Sequence, residues 1–508
     1  MTLACMTLTR PKWNRLTFLI VIFCSALLSS CGGGGGLSSV ASSISGGGGN
    51  GGSGGGIGGS GVTSSGPVAG FGSVFVNGVE FETDDAEITV NGERVSEAAL
   101  GLGMLVVVQG TVNADGVSGI ANTVAFESAL RGPVASIARR PNGDLQLLEI
   151  LGIEVLAQRG VTVFDAVDFE TLAVNDLLDV SGYVSGNGRL VATRIARTGT
   201  FVPAQSAIDR VGVVSNVTGS EFTLGDFTVE FSTADVSNLP ESTVREGARV
   251  LVRGTLIGSV ITARQILEPA EVSDNLDRDT EVVIQGAVTN FAGLGQFNVG
   301  RLQVDATDAV LDLAGETLNN RLIVQVSGTW NGQRLIAQSV VSRQGRILVG
   351  GIVASVSADE GTMGIELYNT VLDVLTNTET LVVDNTRQQD RLTLAGISVG
   401  DYVLVEALSR SNTRLALRIS RSAERSTVLN APVEAITAGD SISLQGIAVS
   451  TLGAEFFGLN GSAITSDAFY LNLAVGDLVR VTDEVTADGR VDSVRLIASD
   501  LAPQLLSR

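Results

Sequence analysis

Histidine is absent from all 508 residues. Without it there is no commonest general base, no usual zinc ligand and no Ser-His or Cys-His dyad. Cysteine is confined to Cys5, Cys24 and Cys31, so no disulfide framework can staple the rest of the chain. Lys12 is the single lysine, which makes arginine the basic side chain of all that follows and leaves the many serines and threonines without a lysine to activate them. Aromatic residues make up only 5%, which leaves little material for sugar-stacking platforms. No Gly-x-Ser-x-Gly elbow lies between a strand and a helix, and no Gly-Lys-Ser/Thr closes a phosphate loop.

What is plentiful is glycine, at 62 residues, with Val, Leu, Ile and Ala as most of the apolar set. That mixture favours strands and turns. Acids outnumber bases 54 to 33, a formal charge of −21. Arg10, Lys12 and Arg15 fall in the first 30 residues, which hold no acid, so the remainder carries 30 basic and 54 acidic groups, or −24. Such a chain repels nucleic acid and anionic headgroups, and its charge serves solubility.

Residues 1–30 read as an export signal, with Arg10, Lys12 and Arg15 ahead of an apolar run, Leu16 to Leu28, that is short for a membrane span. The closing Leu28-Ser29-Ser30-Cys31 resembles the lipobox of bacterial lipoproteins. By that resemblance the chain is cut before Cys31, and acyl chains on that residue anchor it in the membrane. Gly32, in place of an aspartate, leans towards the outer membrane. Residues 31–66 then form the lipidated cysteine and a Gly/Ser-rich tether without charge. A coil of that composition reaches about 30–35 Å on average.

Beyond the tether the chain repeats itself. Gly110, Gly182, Gly254, Gly328, Ala407 and Asp483 each end an apolar run of one type, at intervals of 72, 72, 74, 79 and 76 residues. A nearly constant period of that size marks six copies of one small domain. Around each anchor the copies hold an opening strand, a glycine hairpin (Asn77-Gly78, Gly152, Gly225, Gly300, Gly446) and a closing strand with a small residue three before an aliphatic one, such as Ala192 and Ile195. The repeats are assigned to 67–127, 132–197, 211–268, 283–343, 349–421 and 431–498. The expected fold class is all-β, a tandem array of about six small OB-like barrels, with a three- or four-stranded meander as the alternative. The array is expected to run as a rod or curved string, with neighbours packed across the short joints Glu127–Arg131 and Arg343–Leu348. Bending is expected at Thr198–Ala207 and Glu268–Glu281.

Repeat one reads Gly66-Pro67-Val68, then Phe71-Gly72-Ser73-Val74-Phe75-Val76-Asn77-Gly78-Val79-Glu80-Phe81, then Gly103-Met104 and Val106-Val107-Val108-Gln109-Gly110-Thr111. It resembles the bacterial domain-of-unknown-function family 5666 (DUF5666), whose members are typically secreted or lipid-anchored. The resemblance implies location and architecture and carries no activity. Repeat five departs from it with Tyr368-Asn369-Thr370 at the hairpin, and repeat six with Asp483 at the anchor.

Candidate chemistry is thin. Asp165 with Asp168, and Asp305 with Asp308 and Asp312, are the carboxylate sets that could serve glycoside hydrolysis; solvated loop acids are the plainer reading. Asp274 to Glu281 offers alternating oxygens but lacks the glycine and glutamate of a helix-loop-helix calcium loop. Trp330, at a hairpin, is read as an inter-repeat packing residue or a stacking platform. No catalytic residue, metal site or cofactor is expected, and Cys31 is the one assigned site, for lipid attachment. The expected function is a non-enzymatic envelope lipoprotein serving as a surface binding or spacer module. Its partners are the membrane through the anchor and an envelope protein or polysaccharide, with no nucleic acid. A carboxylate-based hydrolase of an envelope polysaccharide is the alternative.

Overall fold

The computed structural model describes residues 60–497, apart from 72, 140–144, 321, 369, 387–391, 411–412, 424–425 and 485–490. The expected signal peptide, Cys31 and the tether up to residue 59 lie outside the described residues.

Repeats one to five are each built as a five-stranded ring. In repeat one, Ser60–Gly70 pairs antiparallel with Val74–Val76, which returns as Val79–Glu82 through Asn77 and Gly78, both at positive φ (51° and 83°). Two left-handed residues in succession give the hairpin turn that matches strand twist, and Asn-Gly is the pair that adopts them most readily. Val79–Glu82 then lies parallel to the last strand, Ser118–Phe126, which pairs antiparallel with Leu105–Val112. Leu105–Val112 closes the ring against Ser60–Gly70. The spatial order first-second-third-fifth-fourth-first is that of an OB-type Greek-key barrel. Val68, Val74, Val76, Phe81, Val106, Val108 and Val124 alternate inward and fill it completely.

The ring recurs in repeats two to five. Repeat six keeps the same pairs except third-to-fifth, which is not found among the described residues. The expected array of OB-like barrels is therefore what forms. Repeats one, two, four, five and six add a short strand that runs parallel to the closing one: Glu87–Val90, Val163–Asp165, Val310–Asp312, Leu381–Asp384 and Glu455–Phe457.

The repeated anchor glycine is not where the strand ends. Leu105–Val112 runs on past Gly110, and the register with the closing strand shifts between Gln109 and Gly110. The same bulge sits at Ser181/Gly182, Arg253/Gly254, Ser327/Gly328 and Glu406/Ala407. A Cβ on Gly110 would lie 2.1 Å from the carbonyl oxygen of Ile120, so the glycine is there for close approach of the two backbones.

In space the repeats are not strung in order. The opening strands of repeats two and three, Leu130–Arg139 and Ala207–Thr218, pair antiparallel, as do those of repeats five and six, Ile347–Ser357 and Thr427–Thr437. Each of these pairs shares one continuous core. Repeats one and four instead keep separate cores and join through parallel pairing of Val62–Ser65 with Glu281–Ile284. Strand pairing thus groups the repeats as three pairs, two with three, five with six and one with four. That arrangement replaces the expected rod, and the physical reason is edge satisfaction: an opening strand with free backbone groups takes whichever edge offers them. Thr198–Ala207, expected to bend, joins two repeats with a common core. Glu268–Glu281, the other expected bend, is tied at Glu271 to Arg249 at 3.4 Å and to Arg301. The short joint after repeat one does carry packing, through Thr193 Oγ1 to Gly103 O at 2.7 Å and Ser128 Oγ to Asp179 at 2.9 Å.

The first strand also begins at Ser60, inside the stretch assigned to the tether. Ser60 to Gly66 is held by backbone pairing with Leu105–Val112, and Val62 to Ser65 also with Glu281–Ile284, which needs no apolar pattern and is helped by small side chains. Asn77 locks this seam: its Nδ2 donates to Ser64 Oγ (3.0 Å), Ser65 O (3.0 Å) and Val283 O of repeat four (3.3 Å). Gly66 leaves room for it, since a Cβ there would meet Asn77 Oδ1 at 2.3 Å. Asn77→Gly keeps the turn and removes these bonds, and is expected to destabilise the seam by about 2 kcal/mol. Native-state hydrogen exchange at Val62–Ser65 measures it; unchanged protection there would show that Asn77 does not hold repeats one and four together.

Candidate functional site

Where repeats one, two, four and five meet they bound a partly open cavity of about 590 Å³, within the range of small-molecule sites. Repeat one contributes the ends of its opening strand and hairpin, Pro67 to Ala69 and Asn77, and repeat two contributes Leu156, Tyr183 and Val191. Repeat four supplies Leu322 and Ile323, the joint Arg343–Arg346 crosses one side, and repeat five supplies Glu379, Glu406, Leu417 and Arg418. Walls that mix polar, charged and apolar side chains are what the four barrel exteriors present once their strands face each other, because the inward residues of each strand are already spent on its own core.

The charges are mostly paired. Arg343 Nη1 donates to Glu379 Oε2 at 2.7 Å, and Arg346 Nε to Glu316 Oε1 at 3.0 Å. Arg189 is ion-paired with Glu154. Burial works against charge on Glu379, but Arg343 and hydrogen bonds from Gln325 (3.2 Å), Arg343 and Asn377 outweigh it and hold its carboxyl below the usual range. Glu379 also lies against Gly78, where a Cβ would come within 2.9 Å of its Cγ, so the hairpin of repeat one touches the site of repeat five.

Glu406 and Arg418 are different. They stand opposite each other on the paired strands Tyr402–Arg410 and Thr413–Ser422. Burial pushes the Glu406 carboxyl up to about 7, against the pull of the Gly345 N–H (2.9 Å), Arg418 and Arg343. Burial lowers the Arg418 guanidinium to about 9, with Glu406 opposing. Arg418 is 3% exposed; its Nε donates to Ser420 Oγ at 2.9 Å, and its Nη1 and Nη2 have no hydrogen-bond partner. Tyr183, whose hydroxyl burial drives far above its ordinary pKa, lines the same cavity with an unpartnered Oη.

The acids singled out from sequence do not form this site. Asp165 is engaged by Arg194. Asp168 opens a turn through its carbonyl, which accepts from the Thr171 and Leu172 amides at 3.1 and 3.2 Å. Asp305 accepts from Thr307 Oγ1 at 2.7 Å and lies 3.6 Å from Arg334; the Thr307 bonds hold it below the usual carboxylate range, the wrong direction for a general acid. Asp308 is exposed in a turn, and Asp312 ends the strand Val310–Asp312. Asp274 caps the 3-10 turn Val272–Asn275 by accepting from Glu271 N at 2.8 Å. Among the described residues no group of three acidic, cysteine or histidine side chains could hold a metal. Trp330 is 8% exposed within the core of repeat four, neither at an inter-repeat contact nor open to a ligand. Sequence reasoning missed Glu406 and Arg418. The available signal was Glu406 itself: the other copies place Gln109, Ser181, Arg253, Ser327 and Thr482 before the anchor.

Comparison with known proteins bears on two of the repeats that line the cavity. The family model for a domain of unknown function, DUF5666, matches residues 131–196 and 351–420. Both stretches are similar to that family. The first matched stretch brings Tyr183 and Leu156 to the cavity, and the second brings Glu379, Glu406 and Arg418. No curated protein matches the chain. Among solved structures, a chain described as drosophila Unr CSD456 is 14% identical and covers 43% of this chain and 98% of its own, with a TM-score of 0.16; at that value it carries no argument. The OB-type assignment of the two matched stretches rests on their own strand order.

Proposed function

We propose that this chain is a lipid-anchored protein of the bacterial cell envelope, tethered to the outer membrane through Cys31, whose six-barrel body binds a small ligand in the central cavity without turning it over. The observation that carries the binding reading is the cavity itself, bounded by four repeats and lined by both polar and apolar side chains. The anchor reading is supported by Leu28-Ser29-Ser30-Cys31 and the charge-free Gly/Ser stretch after it.

Native mass spectrometry of the protein taken from its own envelope tests the binding. A non-covalent small-molecule adduct is expected in the parent and is expected to be weakened in Leu417→Trp, whose larger side chain intrudes on the cavity. A parent that carries no adduct would sink the reading. For the anchor, Cys31→Ser is expected to move the protein from the membrane to the soluble fraction and to abolish acyl labelling; continued labelling of that variant overturns it.

A further inference from the structure

We propose that copies of this chain associate head to tail, the turn of repeat six at Val475 seating on Val310 of repeat four in a second copy. The chain already makes this contact once within itself, between repeats one and two. A two-residue turn leads into the fourth strand of the barrel and bonds back to the opening strand: Gly103 N to Val68 O, Gly400 N to Val353 O and Gly476 N to Val433 O, at 2.9, 2.9 and 2.8 Å. In these three turns the second residue is a glycine at positive φ (76°, 91° and 95°) and the first is Leu102, Val399 or Val475. In repeat one the turn is seated on repeat two. Gly103 O accepts from Thr193 Oγ1 at 2.7 Å, and a Cβ on Gly103 would lie 2.9 Å from Cγ2 of Val163. Leu102 and Val163 belong to one apolar cluster, and each is 2% exposed.

Val163 opens the short strand parallel to the closing one, and the residue type at that position follows its cover. The counterparts are Glu87 in repeat one, Val310 in four, Leu381 in five and Glu455 in six. Leu381, like Val163, is apolar and packs on repeat one. Glu87 and Glu455 are exposed and charged. Val310 breaks the pattern: it is 71% exposed and apolar, with Leu311 beside it at 39%. An apolar seat without cover inside its own chain marks a contact with another one. Gln338, exposed one residue after Ala337 as Thr193 follows Ala192, stands where Thr193 holds the turn of repeat one. The chain also presents the matching turn uncovered. Val475 is 66% exposed, and Leu471, which ends the helix Ser466–Leu471 leading to it, is 85% exposed, so repeat six offers two large apolar side chains. Seat and turn are different patches of one chain, and both are open in it. Copies that join through them do so heterologously, as a file or a ring, by a contact of the small, transient class.

The test is sedimentation velocity of the full chain carrying Cys31→Ser, which keeps acyl groups out of the measurement. Association is expected to grow with protein concentration and to strengthen with added salt, because salt screens the repulsion between chains of formal charge −21. Val310→Glu gives repeat four the residue that repeats one and six carry at that position, and Val475→Glu gives repeat six the Glu246 of repeat three's turn. Both sites are exposed, so the fold is kept, and each variant is expected to weaken association by about tenfold or more. Val399→Glu is expected to leave it unchanged. Disulfide trapping names the partners: with Cys5, Cys24 and Cys31 all replaced by serine, a Val310→Cys chain is expected to cross-link to a Val475→Cys chain and neither to itself. A sedimentation coefficient independent of concentration overturns the proposal, and so does association that ignores Val310→Glu or that salt weakens. Loss of association in Val399→Glu in place of Val475→Glu, or a Val310→Cys chain that cross-links only to itself, overturns the head-to-tail contact.

Discussion

Gly254→Val is expected to unfold repeat three and to take repeat two with it. A Cβ at Gly254 would lie 2.2 Å from the carbonyl oxygen of Thr262 and 3.0 Å from the Cα of Ala263, both backbone atoms of the partner strand. Its φ is not in the left-handed region, so the glycine is required for space and not for conformation. Overpacking a rigid backbone contact costs about 1–3 kcal/mol for a small group, and the branched valine at a bulge raises that to about 4 kcal/mol or more. Because Leu148, Leu178, Phe222 and Val252 belong to one core spanning repeats two and three, the loss is shared. Repeat five supplies the calibration, since Ala407 carries a methyl at the same bulge opposite Ala416. Gly254→Ala is accordingly expected to cost about 1–3 kcal/mol, and Ala407→Gly about 1 kcal/mol. Thermal unfolding followed by hydrogen exchange at Leu148 and Phe222 checks the series. Equal stability of Gly254→Val and parent would mean that the bulge is soft and that the periodic glycine has another cause.

The barrels were legible in the sequence because every copy repeats the same physical requirements. Asn77-Gly78 needs two left-handed residues, and Ala192 and Ile195 stay three apart because both face inward on the closing strand. How the barrels meet was not legible. Ser60 to Ser65 has no alternation to read, since its pairing with Glu281–Ile284 uses backbone groups alone, and adjacency in the chain wrongly favours neighbours over the pairing of repeats one and four. Arg418 looks like any other arginine until four repeats close over it. What makes it distinctive is its setting, Glu406 opposite it and Val383 where repeat two has Asp165, and a setting of that kind shows only once the register of two copies is known. Asp165 and Asp305 drew notice for the opposite reason: they are visible as acids, while the groups that occupy them, Arg194 and Thr307, come from across the fold.

Glu406→Gln is expected to stabilise the protein above neutral pH and to have no effect in acid. The Glu406 carboxyl titrates at 4.5 in the ordinary case and is pushed up to about 7 in the folded chain by burial, with the Gly345 N–H, Arg418 and Arg343 opposing. The folded state therefore holds the proton more tightly than the unfolded state. Its contribution to stability is fully present below pH 4.5, declines as the pH rises towards 7 and is gone above it. A shift of that size corresponds to about 3 kcal/mol. Glutamine copies the protonated acid: its Oε1 can accept from Gly345 N, which now lies 2.9 Å from Glu406 Oε1, and it carries no charge to desolvate. Melting of parent and variant at pH 4.5, 6 and 8 should give coincident curves at the first value and the full difference at the last, because every other titrating group is common to both. Glu406→Ala separates charge from geometry. It removes the acceptor along with the charge and strands the Gly345 amide, so its gain at pH 8 should fall short of that of Glu406→Gln by about 1–2 kcal/mol. A Glu406→Gln variant that tracks the parent across the whole range would show that the carboxyl titrates normally and that the strand pair around Arg418 is wetter than its burial implies.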